Sequence, residues 1–406
     1  MHVLFIEPTF PRNQREFVRA LKQAGAFVTG IGETPAHALP PDVRRWLDGY
    51  EQVRSVVDEG ALLDTVRRIQ RRGWVDRLEA VIEAHVLPAA HVREAAKIPG
   101  TTSRTAWLCR DKPSMKEALR AAGIPCAQST GASSADEARA FAERVGFPLV
   151  LKPKAAAGAS GTHKANNREE FEAVIRRTGL DRGAEVAVEE FIEGHEGFYD
   201  TICRDGEVVH DFVSHYFPNV LEAMRTRWIS PQIVCTNRTA ATGYGELREL
   251  GRKVHKALGI WSTATHMEWF FGDKGLKFSE IGCRPPGVGV WDLYAAANDI
   301  DIFREWAKVV IGDSTADTLS RRYSAGMIAL RPDRDGVIAG CDDLDRMRHK
   351  YAQYWIDEHV PSPGTPTQPV ENGYMANAWI RLRHPDYDEL RGILNEIGET
   401  VRLRAR

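Results

Sequence analysis

The chain has 406 residues, enough for two or three domains at about 150 residues each, and its 43% hydrophobic and 27% charged residues are ordinary for a globular protein with a sizeable core. Lys and Arg number 54 against 56 Asp and Glu, a net charge of −2 that gives no electrostatic reason to expect nucleic acid or an anionic membrane as partner. No long uncharged apolar run predicts a spanning helix, residues 1–8 lack the basic start of a signal peptide, and the scattered cysteines (Cys109, Cys126, Cys203, Cys235, Cys283, Cys341) without a C-x-x-C pair suit a reducing cytoplasm rather than a zinc site or disulfide framework.

Residues 3–6 form a short apolar run that predicts a strand. Phe17, Val18 and Leu21 follow at helical spacing, and Gly25 closes that helix. Residues 27–31 predict a second strand, 79–83 another, and 88–97 a helix. This alternation predicts an open parallel sheet in a Rossmann-like domain. No G-x-G-x-x-G follows the first strand, so no dinucleotide is expected. Ser114 with Glu117, and Ser134 with Glu137, read as capping boxes of helices that Gly123 and Gly146 end. A strand over 147–153, a small-residue loop over 155–161 and a strand over 162–165 come next. Residues 186–192 read as a buried strand interrupted by Glu189 and Glu190. Leu247, Leu250, Val254 and Leu258 mark a helix closed by Gly259, followed by a hairpin over 265–281 and a helix over 292–310. The C-terminal portion contributes strands over 324–330 and 374–382, a Pro/Gly-rich loop over 361–366 and a helix over 385–401.

The hairpin carries the clearest chemistry. A three-residue connection, Asp273 to Gly275, puts glycine last, where such turns need a left-handed residue. Gly272 then pairs with Leu276, and Glu268 stands opposite Glu280 with both carboxylates on one face. Opposed like charges are destabilising. A divalent cation between them reverses that sign, and magnesium is commonly held by one or two carboxylates plus phosphates. A two-residue turn would instead shift the register by one and favour two merely solvated glutamates. In the loop after Lys152, with Lys154, Gly158, Ser160 and Gly161, small residues would let backbone amides converge on an anion. The loop joins strand to strand and is not a P-loop, and an ordinary flexible connection fits it as well. Glu189 to Glu196 puts acids at the end of a buried strand, where donors such as a purine amino group and ribose hydroxyls would satisfy them. A charged surface turn is the alternative. Arg284, four residues past Glu280, places a guanidinium where a developing oxyanion or a substrate carboxylate would need one. Arg225 and Arg227, beside Trp228, could bind a carboxylate or serve as surface charge. His266 shares a face with Glu268, as a supporting residue or simply packed in the strand, while His163 could touch phosphate but reads rather as an exposed loop residue. Glu7, Glu83 and His85 fall at the ends of N-terminal strands, where open α/β sheets bind ligands. Glu83, Arg227 and His266 are the candidate substrate contacts.

In this order, Lys112 before a helix, Lys152 on a strand, the Gly-rich loop, the acidic run from Glu189 to Glu196, and Glu268, Glu280 and Arg284 resemble the ATP-grasp superfamily of carboxylate–amine ligases over residues 100–315. The segments around Glu268 and Glu280 are most similar to the branch that includes L-amino-acid ligases. The resemblance implies an α/β fold, α+β in its nucleotide-binding part. It divides into a Rossmann-like pre-ATP-grasp domain over 1–100, a lid-bearing subdomain over 101–188, a magnesium, ATP and substrate subdomain over 189–315, and a β-rich C-terminal subdomain over 316–406. It implies ATP and magnesium as cofactors. Lys112 and Lys152 would contact the phosphates and the adenine edge, Ser160 and Gly161 would cover the phosphates, and Glu189 and the Ile192 backbone would read adenine. Glu196 would take the ribose, Glu268 and Glu280 the metal, and Arg284 the acyl phosphate. Gly282 stands where many members carry an asparagine metal ligand, which bears on the number of metal ions. The implied reaction forms an amide or peptide bond and releases ADP and phosphate under a closing lid. Formyl- or carboxy-transfer of purine or biotin type, and ATP binding without turnover, are the alternatives. The expected partners are a small carboxylate and an amine, without nucleic acid or membrane, in a cytoplasmic homodimer.

Overall fold

A computed structural model describes residues 1–153, 161–313 and 317–406; Ser160, Gly158 and Lys154 lie outside the described residues. Strands β1 (His2–Ile6), β2 (Phe27–Gly32), β3 (Gly49–Gln52) and β4 (Arg77–Glu79) form the first sheet, parallel throughout in the order β3-β2-β1-β4. Leu4, Ile6, Ile31 and Leu78 alternate into a core with Leu62 and Val92 from the flanking helices. The strand expected over 79–83 ends at Glu79, and the next helix runs Glu83–Ala96, so Pro88 stands inside it rather than at its start. Glu83 therefore opens a helix at the carboxyl end of the sheet.

Strands β5 (Ser129–Ala132), β6 (Leu149–Pro153), β7 (His163–Ala165) and β8 (Val186–Glu190) form an antiparallel sheet in the order β5-β8-β6-β7. Helices Ala135–Val145 and Arg168–Thr178 cover it with Phe141 and Phe171. Strand β8 runs across the boundary expected at 188/189.

The third sheet is the largest. It contains β9 (His195–Arg204), β10 (Glu207–Phe217), β11 (Gln232–Cys235), β12 (Thr263–Gly272), β13 (Gly275–Gly282) and β14 (Ser324–Leu330). Beyond the two-stranded pair β15 (Ile338–Asp342) and β18 (Arg402–Ala405), it adds β16 (Trp355–His359) and β17 (Ala378–His384). Its order is β13-β12-β9-β10-β11-β14-β17-β16, so residues 189–315 and 316–406 share one sheet through the β11–β14 pairing and are not separate sheet-bearing units. The helix expected over 292–310 is two, Val290–Asn298 and Ile302–Val310. Left-handed Asp299 (φ +54°) breaks it, and Asp301 caps the second by accepting from the Arg304 amide at 3.1 Å. The strand expected over 374–382 lies at Ala378–His384. The N-terminal sheet docks on this body through Phe17, whose ring meets Trp306 edge-on at 5.0 Å. Among the described residues no helix is long and apolar enough to cross a membrane.

Candidate active site

Strands β12 and β13 meet in a two-residue turn, Asp273 and Lys274, with Gly272 paired to Gly275. The three-residue connection is therefore corrected, and the pairs out to Trp269–Phe278 are offset by one from the expected register. A bulge at Ser279 then adds one residue to β13. Glu268 ends directly opposite Glu280, as expected, by a different route. The segment leading into β9 crosses the hairpin tip at backbone contact. A Cβ on Gly194 (φ +144°) would lie 2.5 Å from the Phe271 carbonyl, and one on Gly272 would lie 2.5 Å from that of Glu193. No side chain fits that crossing, which fixes Ile192 and Glu196 relative to the carboxylate pair.

The lysines come from two elements. Helix Lys112–Ala121 is capped by Asp111, which accepts from the Ser114 amide at 3.0 Å. Ser114 is thus inside the helix and not its cap, whereas Ser134 caps its helix as expected, accepting from Glu137. The earlier start puts Lys112 and Lys116 one turn apart on one face. Lys116, almost wholly buried, went unrecognised in the sequence; its signal was the i, i+4 spacing to Lys112. Lys112 Nζ lies 3.3 Å from Glu280 Oε2. Lys116 and Lys152 reach Glu189 Oε2 at 2.6 and 2.8 Å, and Lys152 lies 3.9 Å from Glu280. Burial would raise the Glu189 carboxyl, but the two lysines hold it down at about 2. Burial would likewise lower Lys152, yet Glu189 and Glu280 raise it on balance. Glu280 is lowered, its burial outweighed by Lys112 and Lys152. The second oxygen of Glu189 is buried and has no hydrogen-bond partner among the described residues, so it is an acceptor awaiting a donor.

Lys112, Lys152, Glu189, Ile192, Glu196, Glu268 and Glu280 all line one cavity of about 460 Å³. Glu196 Oε2 accepts from the Val220 amide at 2.7 Å, but burial, reinforced by the charge of Glu268, pushes its carboxyl up to about 8. A small adjoining cavity shares Lys112 and Glu280 and is lined by Glu83, His266 and Arg284. Arg284 Nε donates to Glu83 Oε2 at 2.8 Å, and a Cβ on Gly282 would lie 3.4 Å from that same oxygen. His266 pairs through Nδ1 with Asp200 at 2.7 Å and faces Glu268 Oε1 through Nε2 at 3.6 Å. Burial would lower its pKa, but Asp200 and Glu268 push it up to about 9. Asp200 in turn accepts from the Tyr294 hydroxyl at 2.6 Å. Asp200 carried no signal in the sequence, because strand β9 itself has no clean apolar alternation.

Other expected residues are placed differently. Gly161 is outside the cavity lining, at φ +68° against Pro153. Arg227 pairs with Asp335 and also lies outside that lining, whereas Arg225 is within it. Trp228 is exposed. Glu7 accepts from Thr9 at 2.7 Å and the Glu33 amide at 3.0 Å, within the first domain. No three His, Cys, Asp or Glu side chains among the described residues converge on one metal position. The opposed pair Glu268 and Glu280 fits magnesium that draws its other ligands from phosphate and water.

Residues 111–211 match the family model described as carbamoyl-phosphate synthase L chain, ATP binding domain. The chain is 26% identical over 256 residues to the L-arginine-specific L-amino acid ligase of Bacillus subtilis, covering 62% of this chain and 61% of that one. It is 25% identical over 232 residues to the carbamoyl phosphate synthase large chain of Pseudomonas syringae pv. tomato, covering 56% and 21%. The match thus spans less than two thirds of each of these relatives. Among solved structures, the L-amino acid ligase from Bacillus licheniformis superposes with a TM-score of 0.78 at 17% identity, covering 100% of this chain and 98% of that one. The N5-carboxyaminoimidazole ribonucleotide synthetase from Thermotoga maritima superposes at 0.71 and 16% identity, covering 100% and 99%.

Proposed function

We propose, on the premise that the chain has the ATP-grasp fold, that it is an ATP- and magnesium-dependent ligase joining a carboxylate, of an amino acid or a similar acid, to an amine through an acyl phosphate. The observation that carries this reading is the opposed pair Glu268 and Glu280 in a cavity that also holds Lys112 and Lys152. Glu268 and Glu280 would hold magnesium, whose charge would offset the repulsion between ATP and an attacking carboxylate.

The unpartnered oxygen of Glu189 supports an adenine amino group as its donor, with the Ile192 backbone beside it and Glu196 toward the ribose. Lys112, held by Glu280, and Lys152, held by Glu189, would contact the phosphates, and Ser160 and Gly161 would cover them from the loop. His266, cationic at neutral pH, orients Glu268. Glu83 aims Arg284 at the small cavity and brings the first domain to the substrates.

In the first step a carboxylate oxygen attacks the terminal phosphorus and the bond to ADP breaks. The amine nitrogen then attacks the acyl carbon, phosphate leaves with the C–O bonding pair, and the nitrogen loses a proton. Arg284 is the donor for the oxyanion formed in that second step. Water must be kept from the acyl phosphate.

An ADP-release screen over pairs of the twenty amino acids and simple amines tests the reading. Glu280→Gln should abolish magnesium-dependent turnover without altering the circular dichroism spectrum. Near-native activity in that variant would overturn the metal assignment. ADP formed only with formate or bicarbonate would instead assign a formyl- or carboxy-transfer ligase. No ADP with any pair, together with nucleotide affinity indifferent to magnesium, would leave a nucleotide-binding protein without turnover.

A further inference from the structure

Two of the six free cysteines are brought together by the fold. The Cys283 thiol donates to the Cys109 sulfur at 2.9 Å, across 174 residues of sequence, and both residues are buried at 5% exposure. The sulfurs of Cys126 and Cys203 meet oxygen instead, at the Lys116 carbonyl (3.8 Å) and the Thr201 hydroxyl (3.1 Å). Each member of the pair sits on a segment that builds the site. Cys109 ends the helix Ser103–Leu108 and is followed by Arg110, which donates to the Glu83 carbonyl at 2.7 Å, and then by Lys112. Cys283 follows β13 and stands directly before Arg284. Cys109 also lines the small cavity, together with Glu83, His266 and Arg284.

A disulfide joins sulfurs about 2.0 Å apart, so this pair stands within roughly 1 Å of bonding. The small cavity holds about 20 Å³, room for a water-sized molecule. The oxidant it suits at Cys109 is therefore hydrogen peroxide and not a disulfide the size of oxidised glutathione. The Cys109 thiol is pushed well above its ordinary value by its hydrogen bond with Cys283 and by burial, which keeps the pair reduced until peroxide is in excess. Once one sulfur carries oxygen, its neighbour is already in place to displace it.

We propose that Cys109 and Cys283 are a peroxide-responsive pair, which closes a disulfide beside the small cavity and thereby switches turnover off. Cys109 gives up its proton and its sulfur attacks one oxygen of hydrogen peroxide. The O–O bond breaks, and the departing hydroxide takes that proton and leaves as water. The Cys283 sulfur then attacks the sulfur of the resulting sulfenic acid. The S–S bond forms, the S–O bond breaks, and the second hydroxide takes the Cys283 proton as water. Two electrons pass from the thiols to the peroxide. The new bond draws Cys283 toward the end of the helix and moves Arg284, the next residue, away from its position against Glu83. The loss of turnover rests on the ligase reading, whereas the disulfide does not.

Two measurements on the full chain test it. The first needs neither turnover nor a variant: the reduced protein is treated with hydrogen peroxide, its remaining thiols are alkylated in denaturant, and its peptides are mapped by mass spectrometry. The peptides carrying Cys109 and Cys283 should appear joined, two hydrogens lighter than the separate pair, and should part on addition of dithiothreitol. Oxidation confined to the less buried Cys126 and Cys341, or a sulfinic acid at Cys109 with Cys283 still alkylated, overturns the pair. The second is ADP release by the peroxide-treated protein against its own untreated sample. Turnover should fall about tenfold to a hundredfold, as a displacement of about 1 Å at a reacting group can cost, and return with dithiothreitol. Cys109→Ala, compared with its own untreated sample, should lose little. An equal loss in the variant, or full turnover in protein whose map shows the link, overturns the switch. If the native protein releases ADP with no substrate pair, the ligase reading falls while the peptide map still decides the disulfide.

Discussion

Glu196 and His266 are both tuned upward, and Glu268 contributes to each. The Glu196 carboxyl stands at about 8 against an ordinary 4.5, because of burial and then Glu268. Its contribution to stability is therefore complete below pH 4.5 and lost as pH rises through 8. His266, at about 9 against 6.5 through Asp200 and Glu268 despite its burial, contributes fully below pH 6.5 and loses that contribution toward pH 9. Glu189 runs oppositely: its lysines hold it near 2, so its contribution is complete above pH 4.5 and fades as pH falls toward 2. The ligand-free protein should lose melting temperature between pH 6.5 and 9 in calorimetry, and Glu196→Gln should flatten the part of that loss below pH 8. An unchanged slope in the variant would contradict the assignment. At this scale the sequence was most legible where chemistry repeats a spacing, as in Glu268 against Glu280, whereas the spacing of Lys112 and Lys116 passed unread. Asp200 gave no such signal, because its partners His266 and Tyr294 lie in elements distant along the chain.

The hairpin shows how an element reaches a predicted end by an unpredicted path. Its turn is one residue shorter than expected, and Ser279 absorbs the difference. Turn chemistry was readable from Gly275, but a bulge depends on what the strand packs against, and no local pattern announces it. Strands β9 and β10 were missed for a related reason. Asp200, Thr201, His210 and Ser214 are all buried in them, which erases the polar–apolar alternation that marks a half-buried strand. The helix break at Asp299 was equally hidden, since the apolar residues on both sides keep helical spacing. Glycines separate two kinds of cost in this element. A Cβ on Gly275 meets nothing within 4 Å, so Gly275→Ala should cost only the left-handed backbone, about 1–2 kcal/mol. Gly194→Ala drives its Cβ to 2.5 Å from a carbonyl oxygen of the hairpin. It should cost clearly more in urea denaturation and also weaken nucleotide binding, because the crossing positions Ile192 and Glu196. Equal costs for the two variants would argue against that crossing as the element that sets the site.

For the whole molecule, strand–helix alternation made the N-terminal parallel sheet readable, because its order follows from local connections. The partition of the rest was not readable. Pairing of β11 with β14 joins residues far apart in sequence and merges two expected units into one eight-stranded sheet. A chain ended at residue 315 would strip β14, β16 and β17 from that sheet and bare the edge of β11. Such a fragment should be aggregated or rapidly proteolysed; a soluble, protease-resistant fragment that binds nucleotide would show that the two parts stand alone after all. The Glu83–Arg284 contact, made across 201 residues of chain, ties the chemistry to this assembly. Were the first sheet to undock, Lys112 would keep Glu280 and Lys152 would keep Glu189, while Arg284 lost its anchor. On the proposed reading, completion of the tertiary structure would act as an interlock, so that a half-assembled molecule could hold its fuel but not burn it.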